Sequence, residues 1–429
     1  MSNDDFLEEL INGNPFIERL QSMRLTESEV LDRLEERSDK KEGFNDASGG
    51  VRLKYLSKRF FVPTEHTYEL YTSIHDLIFT GYLNRHPKED TYDKYLCCIE
   101  DGSEKVKDIP RPPSISDAGS SMLIIGRSGQ GKTKEIEKVL SLFDVSEYYH
   151  APSPQTGGRR LPQIPYIKVY MKSTSSKRPF LISILGAIDE KLGTSLASRI
   201  QGRTVGDEII HVIKLCRMVG LGLIVIDDVQ FVLNSKKTKD AKRLTNEFLE
   251  DLYNDLGIPM LFIGTPEVVD LFTEKDQPEQ TERRLLSDGL VKLNAYDIES
   301  HTWEEMVEAT MLNFLGLKPQ WLTEDFKHLI FYYTEGNISK LKRMTSYLLK
   351  LSEELSQSNL SNYLYEAHIN THIRDDSIKP QFKMRQGKSV SSGKNLKLAE
   401  KPKDTDPAKS RGKNDKEFFD RLIEQDWSE

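Results

Sequence analysis

The chain has 429 residues, 37% hydrophobic and 30% charged, which is too long for one simple domain and long enough to bury a sizeable core. Its formal net charge of -8 excludes a uniformly basic nucleic-acid coat, although local basic surfaces remain open. Three cysteines (Cys97, Cys98 and Cys216) without C-x-x-C spacing indicate neither a disulfide framework nor a zinc site, and reduced thiols in a cytoplasmic protein are expected.

The N-terminus, MSNDDFLEEL, is acidic and does not read as a secretory signal. Residues 5–39 carry apolar stripes (Phe6, Leu10, Ile17, Leu20, Met23, Val30, Leu34) at helical spacing. Asn14-Pro15 divides them into two helices, because the residue before proline avoids helical geometry. The polar, Gly-rich stretch 38–50 reads as a linker, so 1–50 is expected to be a helical extension with its tether. No apolar run reaches the ~18 residues of a membrane span.

From 51 to 300 strand and helix patterns alternate. Strands are expected over 121–126, 164–171, 221–227 and 258–264, and helices over 132–143, 179–192, 205–220 and 243–255. Continuous apolar strands alternating with helices predict an α/β domain with a parallel sheet covered on both faces, that is, three layers. Residues 301–375 turn helical: Trp303, Met306, Ala309, Leu312 and Leu315 share one helical face, and Met344, Tyr347, Leu348 and Leu351 another. This predicts a small C-terminal helical lid domain. In 376–413 eleven lysines and arginines outnumber the acids among few apolar residues, the composition of a disordered tail. The last residues return to an amphipathic pattern in which Phe418, Phe419, Leu422, Ile423 and Trp427 share one face. So short a helix cannot bury that face alone; it fits either a partner or this protein's own body.

The stretch GRSGQGKT (Gly126, Arg127, Ser128, Gly129, Gln130, Gly131, Lys132, Thr133), followed by Lys134, satisfies G-x-x-x-x-G-K-[ST] between a predicted strand and a predicted helix. Glycines let backbone N–H groups turn inward around phosphates, Lys132 brings a positive charge to the outer phosphates, and Thr133 offers Mg2+ a hydroxyl. The expected ligand is therefore ATP with Mg2+. The strand LGLIVID ends in Asp227, the residue expected to hold the metal through water. Asp228 stands where such ATPases carry a glutamate that orients the attacking water. An aspartate is one methylene shorter, so hydrolysis is expected to be slow; the alternative is a plain loop carboxylate at a strand end. Thr265, after the strand 258–264, can hold the water or cap the helix that begins at Pro266. Arg283 and Arg284 suit a finger that reaches a neighbouring subunit's site, or a surface cluster. Lys340, Lys342 and Arg343 are candidates to reach the γ-phosphate from the lid.

Taken together these residues resemble the TnsC/TniB family of AAA+ transposition regulators, and in particular its TnsC branch. The segments IPYIKVYMKSTSSKRPFLISILGAI, IKLCRMVGLGLIVIDDVQ (with Gln230), GIPMLFIGTPE and RFFVPTEHTYELYTSIHDLIFTGYLNRHP carry the resemblance, over roughly 51–370. It implies an ATPase that assembles as a ring or helical filament on double-stranded DNA and links a target selector to a transposase and its associated endonuclease. It further implies backbone contacts to DNA from Lys172, Lys177 and Arg178, and from Lys236, Lys237, Lys239, Lys242 and Arg243. Contacts to phosphate carry no sequence information, which suits loading on many sites. On this resemblance the N-terminal helices are expected to receive the selector and the C-terminal helix the transposase or endonuclease. A helicase loader and a nucleotide-binding scaffold are the alternatives.

Overall fold

The computed structural model describes residues 13–35, 51–52, 54, 60–83, 85, 120–153, 158, 160–170, 177–199, 204–230, 256–269, 289–352 and 354–371. The chain divides into two compact units. The first comprises Met1–Arg37, Lys58–Glu305 and Asn337–Ser339; the second comprises Ser38–Ser57, Met306–Gly336 and Lys340–Glu429.

In the first unit, strands β1 (Ser121–Gly126), β4 (Ile164–Tyr170), β5 (Leu221–Asp227), β6 (Met260–Gly264) and β7 (Leu290–Leu293) form one sheet in the order β4-β5-β6-β1-β7. Every neighbouring pair is parallel. The strands of the interior are buried on both faces, which is why they read as unbroken apolar runs. Strand β7 and a two-residue hairpin, β2 (Tyr149–His150) with β3 (Leu161–Pro162), were not legible: they are short, and β7 is half exposed at the sheet's edge.

Alternate residues of the strands build two cores. Leu123, Ile125, Ile167, Val169, Ile224, Ile226 and Phe262 pack with α5 (Lys177–Leu192) and α6 (Val205–Met218). Met122, Ile124, Tyr166, Leu223, Val225, Leu261 and Ile263 pack on the other face. There they meet α1 (Pro15–Ser22), α2 (Glu27–Leu34), α3 (Thr67–Leu83) and α4 (Lys132–Ser141). The starts of α2 and α6 are set by reciprocal capping boxes, Thr26 with Glu29 and Thr204 with Asp207.

The two N-terminal helices are therefore part of the core on this face. Asn14 caps α1 by accepting from Phe16 N at 3.0 Å and donates to the Tyr82 carbonyl at 3.0 Å. Gln163 Nε2 donates to the Phe16 carbonyl at 3.0 Å, and the Phe16 and Tyr82 rings lie 5.0 Å apart. The exposed residues of these helices include the acids Glu18, Glu27, Glu29 and Asp32, with Arg33 among them.

Register decides what the sheet presents at its carboxyl end. Ile125 pairs with Gly264, Ile226 with Phe262, and Tyr170 with Asp227. The ends of β1, β5, β6 and β4 thus finish together, and the loops that leave them converge on one rim, the usual ligand edge of an open parallel sheet.

The second unit is helical among its described residues: α8 (Glu324–Thr334), most of α9 (Ile338–Lys350) and α10 (Leu360–Thr371). The helix that starts as α7 (His301–Glu308) widens into a π-helix over Ala309–Phe314. Leu315 N donates to Thr310 O, an i to i+5 bond. The Thr310 hydroxyl donates to the Met306 carbonyl at 2.6 Å. This widening turns Met311 and Phe314 inward and leaves Leu312 only half buried, where a regular helix would bury Leu312. Ile330, Tyr333, Met344, Leu348, Leu364 and Ala367 are also buried, and the Tyr333 and His368 rings stack at 4.6 Å.

Candidate nucleotide site

The turn between β1 and α4 holds two residues, Gly129 and Gly131, at φ 85°, a region that L side chains rarely occupy. At Gly129 a Cβ would also come within 2.8 Å of Asn337 Oδ1 and 2.9 Å of Ser339 Cβ. The segment Asn337–Ser339 closes on this turn: Ser339 N donates to the Gly129 carbonyl at 2.9 Å and Asn337 Nδ2 to the Ser128 carbonyl at 3.2 Å. The Ser128 and Gly129 carbonyls are thereby both hydrogen-bonded to this segment. Gln130 is buried, and its Oε1 has no hydrogen-bond partner among the described residues.

Lys132 opens α4 and is 9% exposed. Its ammonium donates to the Gly126 carbonyl at 2.5 Å and the Arg127 carbonyl at 2.9 Å, so it lies folded on its own loop. Burial pulls its pKa below the usual lysine range, against the charges of Asp227, Asp228 and Glu267, which push it back up. A buried ammonium resting on neutral carbonyls has much to gain from a polyanion in the loop.

Asp227 ends β5 and is 2% exposed. Its Oδ1 accepts from Asp228 N at 2.8 Å. Its Oδ2 stands 3.0 Å from Lys168 Nζ as an ion pair and takes no hydrogen bond from any other described group. Lys168, on the neighbouring strand β4, also pairs with Glu137 of α4 at 2.8 Å. Burial alone would lower the Lys168 pKa, but the bonds to Glu137 and Asp227 outweigh it and hold the pKa above the usual value. A buried carboxylate with one oxygen held by a single ammonium, together with the Thr133 hydroxyl at the start of α4, is a hard-oxygen set that fits Mg2+.

Asp228 sits at φ 60°, in the left-handed region, and one carboxylate oxygen accepts from Gln230 Nε2 at 2.8 Å. Gln230 Oε1 is buried without a partner among the described residues. A Cβ on Gly264 would stand 3.2 Å from it, so Gln230 lies between the ends of β5 and β6. Thr265 occupies the N-cap position of a three-residue 3-10 turn, Pro266–Val268, but its hydroxyl makes no cap bond. It bonds the Glu267 carboxylate instead, which lowers that group's pKa.

The structure thus brings Gly126 through Thr133, Asp227, Asp228 and Thr265 to one rim. Arg178 is half exposed and engaged at 3.1 Å with Glu208, whose side chain is 3% exposed. Lys177 begins α5. Lys340 pairs with Glu335 at 2.7 Å. Lys172, Lys236, Lys237, Lys239, Lys242, Arg243, Arg283, Arg284, Phe418, Phe419, Leu422, Ile423 and Trp427 lie outside the described residues. Three contributors escaped the sequence reading: Lys168, Glu267 and the Asn337–Ser339 segment. Only Lys168 left a signal, a lone charge inside the apolar strand IPYIKVY.

Residues 116–272 match the family model described as an AAA domain. The matched segment runs through β1, the phosphate loop, β5 and β6, and the chain carries a P-loop AAA+ ATPase domain. Among solved structures the chain is similar to the Orc1 protein of Aeropyrum pernix in complex with DNA. The identity is 13%, 65% of each chain is covered and the TM-score is 0.37, so the chain spans just under two thirds of that protein. It is also similar to the Walker-type ATPase paby2304 of Pyrococcus abyssi, at 14% identity, with 65% of this chain and 71% of that chain covered and a TM-score of 0.37. No curated protein matches the sequence. No described helix is long and apolar enough to cross a membrane.

Proposed function

We propose that this chain is a slow AAA+ ATPase that binds double-stranded DNA and regulates transposition, assembling as a ring or filament on target DNA and linking a target selector to a transposase and its endonuclease. The observation that carries the ATPase part is the meeting of the phosphate loop with Asp227 and Asp228 on one rim of the sheet. The resemblance to the TnsC/TniB family, on the residues quoted above, supports the transposition part.

In this reading Lys132 would leave the Gly126 and Arg127 carbonyls for the outer phosphates of ATP, and Thr133, with Asp227 through water, would hold Mg2+. When bound, the metal neutralises charge on the transferring phosphate. Asp228 polarises the attacking water, restrained by Gln230, and Thr265 offers that water a second hydroxyl contact. Arg283 or Arg284 reaches the site of the next subunit, which makes hydrolysis depend on assembly. Lys172, Lys177, Arg178 and the cluster Lys236, Lys237, Lys239, Lys242 and Arg243 meet the DNA backbone. To do so Arg178 exchanges Glu208 for phosphate. The face of Phe418, Phe419, Leu422, Ile423 and Trp427 takes the transposase or endonuclease.

Electron microscopy with duplex DNA and a slowly hydrolysed ATP analogue tests this. Regular rings or filaments on DNA that vanish in Lys132→Ala are expected. Assemblies that form equally without DNA would replace it by a nucleotide-driven scaffold.

A further inference from the structure

The Walker-type carboxylate Asp227 already has a cation beside it. Lys168 reaches it from β4 along the sheet face that both side chains share: Tyr166, Lys168 and Tyr170 alternate with the buried Ile167 and Val169. The ammonium sits 3.0 Å from Asp227 Oδ2, 2.8 Å from Glu137 Oε1 and 4.9 Å from the Tyr170 ring centre. Its side chain is 13% exposed, so water screens it poorly. Glu137 is 43% exposed and lies on α4, the helix that Lys132 opens.

Two features set this apart from an ordinary structural ion pair. The oxygen of Asp227 that Lys168 faces takes no hydrogen bond from any other described group, so a metal at that oxygen competes with this lysine alone. The ammonium also has a second carboxylate in contact, so releasing Asp227 does not strand a buried charge, which would otherwise be costly.

We propose that Lys168 is a resident counter-cation that shares itself between Asp227 and Glu137 and so sets how much Mg2+ the nucleotide site requires. With nucleotide and metal absent, Lys168 neutralises Asp227. With the metal bound, Asp227 turns to it and Lys168 leans on Glu137. The lysine is thus a positioning residue, with no contact to the reacting phosphate. This rests on reading Asp227 as the metal-facing carboxylate.

Opposite shifts from the two partners test it. Removing the competing charge with Lys168→Met should lower the free Mg2+ needed for half-maximal tight binding of a fluorescent ATP analogue, on the order of tenfold. Removing the alternative partner with Glu137→Gln leaves the ammonium to Asp227 alone and should raise that requirement, by roughly threefold to tenfold. Glu137 is well exposed, so this variant keeps the test informative if Lys168→Met does not fold. An unchanged Mg2+ requirement in Glu137→Gln, or a raised one in a folded Lys168→Met, overturns the proposal. If the wild-type protein binds the analogue with no dependence on Mg2+, the metal-facing role of Asp227 fails, and the proposal with it.

Discussion

Gly129→Ala is a one-methyl change whose cost follows from the geometry of the loop. At φ 85° an alanine pays about 1–2 kcal/mol for the left-handed backbone. Its Cβ would also stand 2.8 Å from Asn337 Oδ1 and 2.9 Å from Ser339 Cβ, closer than such contacts allow. Asn337 would have to swing off, losing its bond to the Ser128 carbonyl, worth about 0.5–1.5 kcal/mol. The sum, roughly 1.5–3.5 kcal/mol, falls on the loop conformation that cradles phosphate, and corresponds to an affinity loss of about 10- to 400-fold. Titrating a fluorescent ATP analogue with Mg2+ measures it, with circular dichroism as the check on folding. Adding Asn337→Ala removes part of the crowding, so the double variant should bind about fivefold better than the two single losses multiplied together. Gly129→Ala binding within threefold of the wild type would show that nucleotide does not use this loop conformation.

Asp228→Ala should keep ATP affinity within a few-fold while lowering turnover by about 100-fold or more, read by phosphate release. Asp228→Glu should not speed hydrolysis, because a longer side chain at φ 60° gains reach but loses the local bond to Gln230. Phe16→Ala should cost about 3–5 kcal/mol in urea denaturation, whereas Glu18→Ala, on the exposed side of α1, should change stability by less than about 0.5 kcal/mol; equal effects would mean that α1 is not docked. Burial chiefly lowers the His75 pKa, so the unfolded chain takes up the proton first as pH falls. The stability this buried neutral ring contributes is present above about pH 6.5 and lost below it. Thermal melts of His75→Phe between pH 7.5 and pH 5.5 should therefore show a shallower decline than the wild type.

The sheet was legible because its interior strands are buried on both faces and read as continuous apolar runs. The phosphate loop was legible because its glycines answer a backbone demand that no other residue meets cheaply. The alignment of strand ends was not, since sequence does not print register. Lys168 escaped for a related reason: a lysine in a strand reads as a solvent-facing residue, and only the pairing of β4 with β5 shows that it shares a face with Asp227. The N-terminal helices carry a different lesson. Their periodicity shows an apolar stripe but not what covers it. The stripe is covered by this chain's own core, so a selector that docks there would meet exposed polar residues that include Glu18, Glu27, Glu29, Asp32 and Arg33.

The second aspartate of β5 is shaped by its backbone as much as by its side chain. Read as a letter, Asp228 is a shortened glutamate, a weaker catalyst by one methylene. Read on the backbone, it occupies a position at φ 60°, and among non-glycine residues aspartate is one of the few that tolerate this region, because its short carboxylate bonds locally. Here that local bond is to Gln230, two residues on. The turn at the end of β5 therefore selects aspartate for conformational reasons, and the carboxylate's reach follows from the turn. A slow ATPase is what this geometry would produce without any defect in the site: a carboxylate pinned by its own loop engages water less readily than a longer, free one. Changing the rate would then mean changing the turn and Gln230 together with the side chain at 228.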